Sequence, residues 1–435
     1  HPEESLTRCK IFYPYIHLSR GNIKMNNKLG SIFIKNFTNL SLNQGLNIII
    51  TLLITPFLFQ KLGDSQYGFV NLSFSLVILL SIIVSYGYNL NGPQKIAIYK
   101  NDLQKFKFLS QVITLRLFIA SILFLFIVLS FYLLGIFKNY WIILFPSLLI
   151  LFSEALSPLF YLQGNDKLNT LIILNACSKI MYLALVFISI KDENDAYLAN
   201  LIFGFSLIIV YLFFWTRLLY NQKFYSFEFK FLDIIKSLNE NFNLFLSSIG
   251  SQIIVNGGII ILSNFITSSE LGQFSLAQRV GLLLRMIPTF LVQSVLQSAS
   301  RLNISNKKSL LNYLNKVYGL GLITTLFFGI ILIFISKWVI YIFAGEFIFY
   351  SENILILLGF IPFVSMLNFR NLVLILVNEK SKLLNKAIWT SAFFMIIFST
   401  IGSFLYGGYG LAFSLIFSEL LCFFIHSYFL KKETL

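Results

Sequence analysis

Charge is scarce in this chain, and acid is scarcer than base. Of 435 residues only 12% are charged, with 18 Asp or Glu against 33 Lys or Arg, a formal net charge of +15. Soluble domains carry about 25% charged residues, so a water-facing globular fold is excluded. Cysteine is scarcer still. Cys9, Cys177 and Cys422 stand far apart, with no CxxC pair, no metal-ligand spacing and no disulfide framework. The three histidines are His1, His17 and His426, so acid–base catalysis by imidazole has few candidates. The chain has no GxxxxGK[ST] loop for ATP, no HExxH and no nucleophile elbow. No cofactor and no metal are expected. These absences point away from an enzyme and toward a carrier driven by an ion gradient, the membrane potential or the cargo's own gradient.

Apolar residues fill the space that charge leaves. Hydrophobic residues make up 57% of the chain, and the mean hydropathy is +0.80. A spanning helix needs about 20 mainly apolar residues. Twelve stretches qualify: 37–60, 69–91, 112–134, 141–162, 168–190, 196–220, 242–266, 274–300, 314–336, 352–377, 385–406 and 408–430. Short alternating strands of a membrane barrel are missing. The fold class is therefore an all-α integral membrane protein with twelve transmembrane helices.

The basic residues order these spans. With the N-terminus inside, the inner loops collect clusters such as Lys95, Lys100, Lys105 and Lys107, or Lys380, Lys382 and Lys386. The outer loops hold only Lys61, Lys138, Lys191 and Lys337, with most of the loop acids. This alternation is a topology signal and not a nucleic-acid footprint, so no nucleic-acid partner is expected. It places both termini in the cytoplasm. Residues 1–24 are polar and irregular and are expected to be a non-native or disordered extension, with a genuine short cytoplasmic tail as the alternative. Residues 25–220 then form one six-helix lobe and 242–435 a second. Between them, 221–241 reads as a cytoplasmic linker with an amphipathic helix built on Phe231, Leu232, Ile234, Ile235 and Leu238, or as a solvated connection.

A repeat links the two halves. Ser65-x-x-Gly68-x-x-x-Leu72 follows the first span, and Ser269-x-x-Gly272-x-x-x-Leu276 follows the seventh. Six spans per half is an even number, so the halves sit the same way up, related by an axis along the membrane normal.

Longer motifs carry a resemblance. They are Leu62-Gly63-Asp64-Ser65-Gln66-Tyr67-Gly68; Tyr161-Leu162-Gln163-Gly164; Leu271-Gly272-Gln273-Phe274-Ser275-Leu276-Ala277-Gln278-Arg279; and Gly407-Gly408-Tyr409-Gly410-Leu411-Ala412. In order and spacing the chain resembles Wzx-type polysaccharide flippases of the multidrug/oligosaccharidyl-lipid/polysaccharide (MOP) exporter superfamily, over essentially all of 29–430. The resemblance implies a V-shaped bundle of two lobes around a cationic central cavity. It also implies movement of an undecaprenyl-pyrophosphate-linked oligosaccharide, an O-antigen unit or similar glycan, across the bacterial inner membrane by alternating access. Membrane lipids, and other glycan-assembly proteins such as a polymerase or chain-length regulator, are the partners it suggests. Its arginine after the second glycine motif falls on Arg279.

The remaining charges within spans are weighed on physical grounds. An ionised residue at mid-membrane is costly, by about 2.5–3.5 kcal/mol on the insertion scale, and normally faces protein or a watery cavity. Lys179, Arg279, Arg285 and Arg370 are the candidate cargo-binding cations. Arginine's planar fork and lysine's point charge both suit a pyrophosphate. The alternatives are a structural ion pair for Lys179 and Arg285, and snorkelling for Arg279. Six residues separate Arg279 from Arg285, about 120° around a helix, so one of them could pair with an acid. Glu154 and Glu419 are the candidate partners, or sites of proton coupling, or structural hydrogen bonds between helices. Arg116 is expected to snorkel toward the cytoplasm. Pro288, one turn past Arg285, offers a kink that would aim that arginine inward, and Asn256-Gly257-Gly258 offers a hinge.

Two rival functions stay open. A cation-coupled drug antiporter would share the fold, but an acidic lumen would suit it better. A membrane glycan polymerase or ligase would carry a large outer loop, and the outer loops here are short.

Overall fold

The computed structural model describes residues 27–221, 231–305, 307–378 and 381–434. Residues 1–24 and most of the connection after residue 221 lie outside this set. Among the described residues every regular element is helical. In chain order they are α1 (Asn27–Ser85), α2 (Tyr88–Ile98), α3 (Asp102–Leu134), α4 (Trp141–Ser147), α5 (Leu149–Ala155), α6 (Leu159–Gly164), α7 (Leu168–Ser189) and α8 (Ala196–Asn221). After the break come α9 (Phe231–Leu262), α10 (Ser268–Ser305), α11 (Lys307–Ala344), α12 (Phe349–Gly359), α13 (Ile361–Leu367), α14 (Phe369–Val377) and α15 (Ser381–Thr434). Among the described residues, ten helical stretches are long and apolar enough to cross a membrane.

Two of these stretches are double. Asn47–Ile98 and Lys382–Lys432 hold 52 and 51 residues, and a straight helix of that length would reach about 75 Å, far beyond a ~30 Å hydrocarbon core. Each turns back at a glycine. Gly63 sits at φ 69° and Gly407 at φ 55°, where a side chain would be strained. Past Gly63, Tyr67 packs edge-on against Phe59 at 5.3 Å between ring centres. Past Gly407, the Ser414 hydroxyl donates to the Phe398 carbonyl at 2.7 Å, sixteen residues back along the chain.

Elsewhere the stretches expected to be single helices are segmented. The span at 141–162 is three pieces, α4 to α6, interrupted near Pro146 and Pro158, which lack the N–H a continuous ladder needs. The span at 352–377 is likewise three pieces, α12 to α14, with breaks at Phe360 and Asn368. The span at 69–91 stops at Ser85. Tyr86 (φ 42°) and Gly87 (φ 74°) redirect the chain into α2, and a Cβ on Gly87 would sit 3.1 Å from Leu244 Cβ. Helix α10 runs unbroken through Pro288, and α9 runs unbroken through Asn256-Gly257-Gly258. Residues 231–241, part of the expected amphipathic segment, belong to the same helix as the span that follows.

The chain divides into two compact units. One joins residues 55–75 to Gly250–Leu435, and the other is built around residues 76–249. In the first, α10, α11 and α12 pack together, and α13 and α14 bridge to α15. In the second, α8 packs on α4, α5 and α7, and α2 lies on α6. Outward faces are greasy, as at Phe118, Ile122, Leu125 and Phe126 on α3. Many serine and threonine hydroxyls in the spans donate to carbonyls one turn back, such as Ser147 to Ile143 at 2.6 Å and Ser130 to Phe126 at 2.7 Å, so they present no bare donor to lipid.

Candidate functional site

The two copies of the sequence repeat touch each other. In the unit that holds both, the limb of α1 after Gly63 lies against the start of α10. A Cβ on Gly68 would stand 2.5 Å from the Ser268 carbonyl oxygen and 2.8 Å from the Gly272 nitrogen, and one on Gly272 would collide with the Asp64 carbonyl. Only glycine at both places allows the backbones so close. Asp64 ties the contact further. Its carboxylate accepts hydrogen bonds from the Ser269 hydroxyl and, at 3.2 Å, from Gln273 Nε2. The Ser-x-x-Gly pattern therefore marks a helix crossing and not only a shared turn.

Arg279 follows on the same helix. Its Nε donates to Asn71 Oδ1 at 3.0 Å, and its guanidinium lies 4.9 Å from the Phe74 ring centre. Both contacts are neutral; Asn71 belongs to the first repeat and Phe74 follows it by two residues. Asn71 was visible within the first motif, but only the crossing reveals why an amide stands there.

Arg285 is in a different situation. Its Nη2 forms an ion pair with Glu419 of α15, and the side chains keep 24% and 12% of their surfaces accessible. Of the alternatives the sequence offered, an arginine–carboxylate pair is the one formed. Along α15 the same side continues with Cys422 and His426. His426 is 3% exposed. Its Nδ1 is 2.9 Å from Asn368 Oδ1, the Cys422 Sγ is 3.8 Å away, and Nε2 has no hydrogen-bond partner.

The polar cluster around Arg370 splits across its helix. Asn368 and Asn371 are buried toward α15, where Asn371 donates to the Ser427 hydroxyl at 2.7 Å. Arg370 points the other way, exposed, with Nη1 3.1 Å from Asn315 Oδ1 of α11.

The second unit holds Lys179, Glu154 and Arg116. Lys179 on α7 places its ammonium 4.6 Å from the Phe203 ring centre on α8. Arg116 does not snorkel. It is 0% exposed, with Nη2 bonded to Asn89 Oδ1 at 2.9 Å and to the Ser85 carbonyl at 3.4 Å. Tyr88 and Phe160 flank it at 5.8 and 5.0 Å. Asn89 also donates to Glu154 Oε1 at 2.9 Å, so a single amide bridges the arginine and the acid. The break at Tyr86-Gly87 turns α2 so that Asn89 faces α3. Sequence position alone put Arg116 near a helix end, and this fold-dependent pocket was invisible. Among the described residues no cluster of His, Cys, Asp or Glu could hold a metal ion.

These features can be compared with known proteins. The family model described as polysaccharide biosynthesis protein matches residues 33–297. The chain belongs to that family. A Shigella dysenteriae protein provisionally named an O-antigen transporter is 25% identical over 399 residues, covering 89% of this chain and 97% of its own length. Among solved structures, the lipid II flippase MurJ in an inward closed conformation superposes with a TM-score of 0.69 at 19% identity, covering 90% of this chain and 87% of that one. An inward-facing multidrug MATE transporter of the MOP superfamily gives 0.63 at 12% identity, over 87% and 96%. At such identities these likenesses establish the fold: an all-helical, multi-pass membrane protein of the MOP type. With the family, they make the chain a transporter of the polysaccharide-biosynthesis branch and not an enzyme.

Proposed function

We propose that the protein is a flippase that carries an undecaprenyl-pyrophosphate-linked oligosaccharide across the bacterial inner membrane by alternating access. The observation that carries this reading is Arg279 and Arg285 on one apolar helix, α10, in a chain whose relative along 97% of its length bears the O-antigen transporter name. A pyrophosphate offers about two negative charges and several acceptor oxygens, and guanidinium groups match both. Lys179, Arg279, Arg285 and Arg370 are the cations assigned to the phosphates as the head group crosses, while the prenyl tail stays in lipid. Glu419, paired with Arg285, sets how much of that positive charge is free, and Glu154 is kept as a site of coupling.

The remaining architecture follows the same reading. Counting the two folded-back stretches twice gives twelve crossings, arranged as lobes 25–220 and 242–435 with 221–241 as the cytoplasmic connection. Both termini lie in the cytoplasm, as the lysine-rich inner loops require. The Asp64–Ser269 crossing is the contact that one half-cycle breaks. Glycan polymerase and chain-length proteins are the expected neighbours in the membrane.

The test is surface glycan in cells lacking their own flippase for the matching lipid-linked unit. Lys179→Ala and Arg285→Ala are expected to abolish export while the protein is still inserted at normal abundance. Full export by both variants would remove these residues from the mechanism.

A further inference from the structure

We propose that Asn71 is the positioning residue for Arg279: its side-chain oxygen holds Nε and so turns the far edge of the guanidinium, the two η-nitrogens, toward the cargo's diphosphate. The inference rests on the flippase reading above and assigns a residue that reading leaves out. The two sequence repeats supply the reason. Asn71 and Ser275 occupy the same place in them, three residues past Gly68 and Gly272. Both side chains donate to the carbonyl four residues back, Ser275 to Leu271 at 2.6 Å and Asn71 to Tyr67 at 2.9 Å. Serine therefore meets the helix's own need at this place. Asparagine meets it with its NH2 and has a second end to spend. That end, Oδ1, crosses to α10 and accepts from Arg279 Nε at 3.0 Å. Arginine carries no acceptor, so the end of the amide that faces it must be the oxygen.

The geometry leaves the guanidinium one working edge. Asn71 is 4% exposed and anchored at both ends of its amide, so its oxygen is fixed in direction. The Phe74 ring lies 4.9 Å from the guanidinium carbon and covers one face. Arg279 itself is half-buried. With Nε tied and a face covered, an anion meets the η-nitrogens end-on. Their parallel N–H groups match two phosphate oxygens at once. A neutral amide orients this fork without cancelling its charge. A carboxylate in the same place would cancel it, as Glu419 does for Arg285. The fork is also built once and not twice. Ser75 stands in the first half where Arg279 stands in the second, so one repeat supplies the cation and the other supplies the group that aims it.

The experiment is a double-mutant cycle read as calorimetric binding of farnesyl diphosphate, a lipid diphosphate without sugar, to the purified full chain in detergent. Arg279→Lys keeps the charge but removes both Nε and the fork. Asn71→Leu is expected to weaken binding about tenfold when Arg279 is present, and to change it by less than about twofold in the Arg279→Lys chain. An equal loss in both backgrounds would mean that Asn71 only packs the helices, and would overturn the positioning while leaving the lipid-diphosphate reading intact. Asn71→Asp, which sets a carboxylate against the guanidinium, should bind as weakly as Arg279→Ala; wild-type affinity in that variant would also overturn it. One arm needs no variant, so a poorly folding mutant does not blunt the test. Phenylglyoxal, which reacts at the η-nitrogens, should label Arg279 in the wild-type chain, and farnesyl diphosphate should protect it. Absent labelling, or labelling that the probe leaves unchanged, would contradict an open η edge. Failure of every chain, wild type included, to bind the probe would overturn the cargo reading and the positioning with it.

Discussion

Arg116 and Arg285 are the same side chain placed in two compact units under opposite terms. Arg116 is sealed. No surface is accessible, aromatic rings cover its faces, and its acid is reached only through the amide of Asn89. Arg285 meets its acid directly and keeps a quarter of its side chain open. A guanidinium with no exposed edge cannot meet a cargo. It can only pin α3 to α2, and two of its nitrogens, Nε and Nη1, have no partner even there. One paired to a carboxylate while a quarter of its side chain stays accessible is stabilised and, on the flippase reading, available to cargo. Charge depth in the membrane therefore does not separate the two arginines; their accessibility does.

The largest effect that would break this contrast is on folding. Arg116→Ala should strip Asn89 and Glu154 of their cation and cost about 3–5 kcal/mol, the usual penalty for breaking a buried charged pair. Thermal unfolding in detergent, or the yield of inserted protein, measures it. Restoration to native stability by Glu154→Ala in the same chain would show a simple pair, which the amide bridge argues against. Next comes Arg285→Ala made together with Glu419→Gln, so that no buried carboxylate is left unpaired, with melting close to native and export lowered by about tenfold or more. Its instability would place both arginines in the same structural class and erase the distinction.

A third effect concerns the contact between the repeats. With the native cysteines removed, Asp64→Cys and Ser269→Cys together should form a disulfide that stops export under oxidation, and reductant should restore it. Unchanged export by the oxidised pair would mean that this crossing does not open. The smallest effect is at the surface. Lys95 pairs with Glu240 at 2.6 Å with 26% and 42% accessibility, and Lys95→Ala should change stability by less than about 1 kcal/mol.

How much of this was legible beforehand differs between the same two regions. The helical class, most spans and the cations of α10 follow from composition and spacing, because lipid imposes a strict apolar length and makes each charge conspicuous. Gly63 and Gly407 stood at expected turns. Arg285 and Glu419 were each named, but their pairing joins residues 134 apart, and periodicity cannot decide between Glu419 and Glu154. Arg116 was misjudged. Its depth along α3 allowed snorkelling, and only the turn at Tyr86-Gly87 brings Asn89 across to hold it inward. Asn368, Phe369, Arg370 and Asn371 are consecutive in the chain. A helix separates such neighbours by about 100° per residue, and the amides and the arginine face different partners. His426 is held by an asparagine 58 residues away that sequence alone does not point to.

The central claim is that Arg285 serves the cargo while Arg116 serves the fold. Flipping of a lipid-linked oligosaccharide by purified protein in proteoliposomes, measured for the double variant Arg285→Ala with Glu419→Gln beside its melting temperature, tests it most directly. The account predicts native melting with flipping reduced to the rate of protein-free vesicles. Native flipping by that variant would contradict it.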